Sequence, residues 1–163
     1  MRRLVLILIM FITCIFVFAY EWNPIGPAWI NVTNYCFTGT NPFWEIICTD
    51  GGFLSRQVEN WVLHSFSGLP VCAVLSDPSG EGDLLVALGD GSDSDGIYRY
   101  TFDIDSFSVL AWMMYPKFLL QHEPTGEYYC GGMEGLRKSD DGQAWQAVSY
   151  FSGMECTAMT YWG

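Results

Sequence analysis

Three short signals return along this chain in the same order, and a chain that repeats itself must fold as neighbouring copies of one small unit. The turn Ser76-Asp77-Pro78-Ser79-Gly80-Glu81 comes back as His122-Glu123-Pro124-Thr125-Gly126-Glu127. The run Glu45-Ile46-Ile47-Cys48 is echoed by Asp83-Leu84-Leu85-Val86 and by Glu127-Tyr128-Tyr129-Cys130. Gly52-Phe53-Leu54-Ser55 is followed in its turn by Gly96-Ile97-Tyr98-Arg99 and Gly135-Leu136-Arg137-Lys138. Each unit closes on a tryptophan, at Trp61, Trp112 and Trp145, and Phe66-Ser67-Gly68-Leu69 has a late echo in Phe151-Ser152-Gly153-Met154. The period, roughly 40 to 50 residues, is that of propeller blades rather than of helical solenoid repeats with shorter units.

Inside a unit the pattern is β-like. An apolar run precedes the acid-Pro-Gly turn, a second apolar run ends in glycines, a third strand follows a glycine, and a fourth carries the tryptophan. Turn residues fall every 8 to 12 positions or so, as antiparallel sheets require, and helical periodicity is absent after the first twenty residues. The expected fold is therefore all-β, with about three four-stranded antiparallel blades after an N-terminal hydrophobic signal helix. The blades are placed at about 29–63, 69–113 and 116–148, with one extra strand at 156–161. Propellers close with four to eight blades or so. The expectation is thus an incomplete propeller over 20–163, closed by missing blades of a longer protein or by copies of itself.

The start of the chain sets the expected compartment. Arg2 and Arg3 precede an apolar run from Leu4 to Ala19 that ends Val17-Phe18-Ala19, the pattern of a signal peptide cleaved after Ala19. Residues 1–19 are read as that peptide, and the remainder as secreted, periplasmic or surface-exposed, with no stable membrane association after cleavage. Cleavage leaves Arg56, Arg99, Lys117, Arg137 and Lys138 as the basic residues against 18 carboxylates. Such a chain repels phosphate, which excludes nucleic acid as a partner and disfavours anionic lipid. Five cysteines remain, Cys36, Cys48, Cys72, Cys130 and Cys156; an odd number leaves at least one unpaired within the chain, so this is not a disulfide scaffold.

The segment Gly135-Leu136-Arg137-Lys138-Ser139-Asp140-Asp141-Gly142-Gln143-Ala144-Trp145 resembles the Asp-box (BNR) repeat, usually Ser-x-Asp-x-Gly-x-Thr-Trp. In that family the box lies on the hairpin between a blade's third and fourth strands. Asp140, Gly142 and Trp145 match; Lys138 stands at the serine position unless one residue is deleted, and Ala144 replaces threonine. The opening Trp22-Asn23-Pro24-Ile25-Gly26-Pro27 also resembles the lead-in to such propellers in exported proteins. The resemblance implies membership of the sialidase-like superfamily, which holds glycosidases, receptors and assembly factors alike, so it does not choose a function.

Sialidase chemistry needs converging arginines, and Arg56, Arg99 and Arg137 instead recur near one strand of successive units, as repetition alone produces. His64 and His122 belong to no spaced ligand set and read as exposed or half-buried loop residues. Cys48 and Cys130 read as equivalent small apolar residues inside blades. Asp90, Asp93 and Asp95 make a candidate calcium turn, though Gly91 and Phe102 fall where an EF-hand loop needs acids. A solvated acidic hairpin is the preferred reading, and Asp140 with Asp141 read as hairpin-capping residues. The expected function is a non-enzymatic binding or scaffolding module without a cofactor, a fragment of a larger secreted or surface protein that meets an unidentified protein or glycan; the alternative is a fragment of a sialidase-like glycoside hydrolase. The aromatic positions, with Trp61, Trp112 and Trp145 as the most regular, read mainly as sheet-to-sheet packing; any that a propeller face exposes could bind a glycan by stacking.

Overall fold

The computed structural model describes residues 31–38, 44–56, 61–66, 68–78 and 82–160. The expected signal peptide over residues 1–19, with its expected helix, and the Trp22–Pro27 lead-in lie outside the described residues. Twelve strands form three four-stranded antiparallel sheets, each wound in simple sequence order. Sheet 1 holds β1 (Val32–Thr38), β2 (Trp44–Thr49), β3 (Gly52–Arg56) and β4 (Val62–His64). Sheet 2 holds β5 (Val71–Ser76), β6 (Leu84–Leu88), β7 (Gly96–Thr101) and β8 (Ser106–Trp112). Sheet 3 holds β9 (Pro116–Gln121), β10 (Tyr128–Gly132), β11 (Gly135–Ser139) and β12 (Gln146–Ala147). No helix among the described residues is long and apolar enough to cross a membrane.

The sheets are blade-like and stack in chain order, β1 beside β5 and β5 beside β9. Thr33 ties the first two by donating its hydroxyl to the Val71 carbonyl at 2.5 Å. Why sheet 2 is the best-packed follows from β6, where all five residues are buried. A strand covered on both faces needs an unbroken apolar run rather than alternation. Its two faces serve two cores. Leu84, Val86 and Leu88 pack with Ile46, Cys48, Phe53 and Tyr100 in the seam towards sheet 1. Leu85 and Ala87 pack with Ile97, Leu119, Tyr128 and Cys130 in the seam towards sheet 3.

The glycine that leads each third strand has a steric cause. At Gly52 (φ +142°) an added Cβ would meet the His64 carbonyl oxygen at 2.1 Å, and at Gly135 (φ +126°) the Phe151 carbonyl oxygen at 2.4 Å. The backbone leaving the fourth strand crosses so close that only glycine fits.

Two expectations need correcting. Residues 156–160 are not a strand: the Cys156 N–H donates to the Gly132 carbonyl at 2.9 Å, and no ladder continues from it. With no further strand beside it among the described residues, that segment has nothing to pair with on its outer edge. The second concerns register. Cys48 lies opposite Phe53, one residue after its glycine, whereas Cys130 lies opposite Arg137, two after its own. The partner of Cys130 in the repeat is therefore Val86, opposite Tyr98, and Cys48 matches Ala87, opposite Ile97. A one-residue slip turns a side chain to the other face, so the two cysteines belong to different seams. The described residues show three successive blade-like sheets and no closed ring.

Candidate functional site

An open cleft of about 250 Å³ lies between sheets 2 and 3, lined by Asp93, Trp112, Met113, Met114, Glu134 and Arg137 among others. The linker from β8 to β9 forms its floor and is stitched on both sides. The Met113 N–H donates to the Asp95 carbonyl at 3.2 Å, and the Met133 N–H donates to the Met114 carbonyl at 3.1 Å. The next residue, Tyr115, holds φ +47°, a left-handed conformation uncommon for a bulky side chain.

Asp95 organises this corner. Its Oδ1 accepts the N–H groups of Asp90 at 2.9 Å and Ser92 at 3.3 Å; its Oδ2 accepts those of Gly91 and Tyr115, both at 2.8 Å. The side chain is buried, and both oxygens are spent on backbone donors, which surround it with positive rather than negative dipoles. Asp90 and Asp93 are exposed, with Asp90 capping the Ser92 N–H at 3.1 Å. The three aspartates of the candidate calcium turn thus do not converge: the inward one is committed to the loop backbone. Among the described residues no group of three metal-ligating side chains comes together.

Above the floor, Trp112 is 57% exposed although it closes β8 opposite Gly96. The Tyr98 ring meets it edge to face, with centroids 6.3 Å apart, and Tyr98 is anchored by donating its hydroxyl to the Ser94 carbonyl at 2.7 Å. Arg137, half-buried on β11, has no ion pair or hydrogen bond among the described residues, and the same is true of the Asp93 and Glu134 carboxylates. The other two arginines are committed. Arg56 donates Nε to Glu45 at 2.6 Å and lies over the Trp61 ring at 4.9 Å. Arg99 donates Nε to the buried Asp77 at 2.5 Å and a further N–H to Gln143 of sheet 3. Counted from the leading glycine, the three arginines stand at different registers, so they do not form one cluster.

The segment that resembles an Asp-box lies on the hairpin between β11 and β12, and its bonds identify which aspartate holds the turn. Asp141, not Asp140, holds the turn: its Oδ1 accepts the N–H groups of Gln143 at 2.8 Å and Ala144 at 2.9 Å, and the Ser139 hydroxyl at 3.0 Å. Those bonds, led by the Ala144 N–H, hold the Asp141 carboxyl below the usual range. Asp140 is 81% exposed and faces only Lys138, at 3.7 Å. The deleted-residue alignment, with Ser139 as the box serine, is the one the bonds follow. Gly142 packs on Pro78 and Leu85 of sheet 2, and Trp145 donates its indole N–H to the Gly142 carbonyl at 3.0 Å.

A second polar constellation, not anticipated from the sequence, crosses the other seam. Ser55 and His64 of sheet 1 meet Tyr100 and Asp105 of sheet 2. The Ser55 hydroxyl lies 2.8 Å from His64 Nε2; His64 Nδ1 lies 3.2 Å from Asp105 Oδ1 and 2.5 Å from the Tyr100 hydroxyl, which donates to the same Asp105 oxygen at 2.5 Å. A proton on Nδ1 satisfies every member, with Ser55 donating to Nε2. His64 is thus buried rather than an exposed loop residue; it stacks on Phe53 with centroids 4.8 Å apart. His122 remains half-buried in its turn, 2.7 Å from the Thr125 hydroxyl.

Hydroxyl, imidazole and carboxylate in a row resemble a nucleophilic triad. Two features argue for a clamp instead. Ser55 is 1% exposed, leaving no approach to its oxygen, and the Tyr100 phenol occupies the nitrogen that a triad reserves for its carboxylate. Burial, then the bond to Asp105, drives the Tyr100 hydroxyl pKa up; the bond from Tyr100, then His64, holds Asp105 down. The thiols are also poor nucleophiles: burial pushes Cys72 up to about 11 and raises Cys130 further. No family model matches the chain, and neither curated proteins nor solved structures yield a match.

Proposed function

We propose that the chain is an exported, non-enzymatic repeat module of the Asp-box propeller type, part of a larger secreted or surface assembly, that binds its ligand at the cleft between sheets 2 and 3. The exposed Trp112, held over a floor stitched to both neighbouring sheets, carries this reading. A large ring left in water at a rigid concave site, beside unspent polar groups, is the usual make-up of a binding surface. The hydrolase alternative draws little support, because Arg56 and Arg99 are neutralised by Glu45 and Asp77 and only Arg137 remains for a substrate carboxylate.

The test is direct. The purified chain is expected to begin at Tyr20 when recovered from the medium or periplasm and to release no product from aryl glycosides, sialosides included. Measurable turnover that survives purification to homogeneity rejects the non-enzymatic reading.

A further inference from the structure

The geometry points to an uncharged sugar unit as the ligand of the Trp112 cleft, stacked on the indole with its hydroxyls shared between Arg137 and the carboxylates of Asp93 and Glu134. This rests on the reading of the chain as a binding module and gives that module a ligand class.

Three observations narrow the chemistry. The cleft presents donors and acceptors together: the Arg137 guanidinium only donates, whereas Asp93 and Glu134 only accept. None of the three has a hydrogen bond or ion pair among the described residues, so a ligand that enters must supply both kinds of partner or leave charges stripped of water. Hydroxyl groups do both at once. A purely apolar ligand would bury these groups unsatisfied and so lose what Trp112 contributes.

Charge removes the ionic alternatives. One guanidinium faces the carboxylates of Asp93 and Glu134, with Asp95 beside them already bonded to backbone N–H groups, on a chain of net charge −11, so phosphate and acidic ligands are repelled. A cationic ligand drawn by that field meets Arg137 in the wall. An uncharged ligand is the one that neither sign opposes.

Size and rigidity complete the case. The cleft, about 250 Å³, is small beside ordinary small-molecule sites of about 300–1,000 Å³, which suits a single ring-sized group. Tyr98 orients the indole edge to face, and the Asp95 bonds to the loop and to Tyr115 fix the walls before a ligand arrives. One ring on one platform gives weak binding, with a dissociation constant on the order of 1 mM for a single unit, raised in strength by repetition along a glycan.

The experiment titrates the purified chain with three neutral probes, lactose, maltotriose and the trisaccharide of N-acetylglucosamine, beside a glucuronic acid disaccharide and trialanine, with saturation-transfer NMR as readout. At least one neutral sugar is expected to bind; Trp112→Ala and Arg137→Gln each weaken it at least about tenfold, while Trp112→Phe keeps most of it. Trp112 is exposed, so these variants keep the wild-type melting transition. Binding of trialanine or the acidic disaccharide in place of the neutral sugars, still dependent on Trp112, overturns the sugar assignment and leaves the binding module standing. Neutral-sugar binding that is indifferent to Trp112→Ala and Arg137→Gln, or no binding by any probe, overturns the assignment to this cleft. Cleavage of a bound sugar by the wild-type chain sinks the non-enzymatic reading while the ligand class survives.

Discussion

The two seams of this molecule are built from the same strands of one sheet and solve opposite problems. The seam between sheets 1 and 2 is closed by rings: Phe53 stacks on His64 and meets Tyr100 edge-on at 5.0 Å, Tyr100 meets Phe107 at 4.8 Å, and a polar chain threads the rings from the buried Ser55 and His64 out to the exposed Asp105 carboxylate. The seam between sheets 2 and 3 is closed at one end by a single buried carboxylate, Asp77, and stays open as a cleft at the other. Packing that satisfies every polar group seals a surface. Packing that leaves a guanidinium and two carboxylates without partners among the described residues leaves a surface for something else.

The largest effect is expected at the ring seam. Phe53 has no exposed surface, and Phe53→Ala should cost about 4 kcal/mol in urea unfolding, because truncation leaves a cavity under His64 and Tyr100 as well as losing apolar burial. A loss under about 1 kcal/mol would mean that the seam collapses around the gap and is not the tight one.

Next comes the carboxylate seam. The Asp77 side chain is fully buried between Arg99 and the Gln143 amide of the Asp-box loop, 3.2 Å away. Asp77→Ala strips Arg99 of its partner, and a cost of about 3 kcal/mol in the same assay is expected. Replacing Asp77 and Arg99 together by leucine should recover part of that loss, since what destabilises is the uncompensated charge. The same double change leaves the Trp112 cleft untouched if the two ends of the seam are independent.

How much of this was legible beforehand differs between the seams for physical reasons. The sheets themselves could be read, because β6 is an unbroken apolar run and each third strand opens on a glycine that the following backbone demands. The Asp-box hairpin was legible as a motif. Its register was not, because Asp140 and Asp141 are adjacent and the same residue type, and only the N–H groups of Gln143 and Ala144 distinguish them. The slip at Cys48 is hidden for a similar reason: runs such as Ile46-Ile47-Cys48 and Tyr128-Tyr129-Cys130 are apolar at every position and look alike when shifted by one. His64 and Asp105 lie 41 positions apart in different sheets, so no local pattern joins them. Asp95 could be seen as an acid in a turn, but whether it faced water or the loop's own N–H groups depended on backbone directions that spacing does not carry.

Acid should separate the sheets by a smaller margin. Lys138, with Tyr129 and Thr125, holds the Glu127 carboxyl down to about 2, and Asp141 and Asp105 are also held below their ordinary range. Groups lowered in the folded state stabilise it fully above the unfolded carboxylate values, and that contribution is lost as protons bind on the way down. Melting temperature is therefore expected to fall between about pH 5 and pH 2 and to be level above that range as far as these groups are concerned. Glu127 is half-buried and Asp141 exposed, both in turns that flank the strands of sheet 3, so salt should screen much of the effect. Glu127→Gln should flatten the acid slope; an unchanged slope would remove Glu127 as its source.

The smallest effect on stability should fall on the residue most important for binding. Repetition presents Trp61, Trp112 and Trp145 as three copies of one closing residue, but each has a separate fate. Trp61 lies beneath the Arg56 guanidinium, Trp145 is bonded to Gly142 and packs against the second core, and Trp112 stands in water. Trp145→Ala should cost about 2 kcal/mol through lost packing and a lost hydrogen bond, whereas Trp112→Ala should stay within about 0.5 kcal/mol of wild type. If Trp112 proved as costly as Trp145, the ring would be serving the seam, and the difference between a sealed and an open interface would vanish at the point where the ligand is placed. A near-zero cost says the reverse: the fold keeps a large ring exposed without using it, which is the expected mark of a side chain whose partner lies outside the protein.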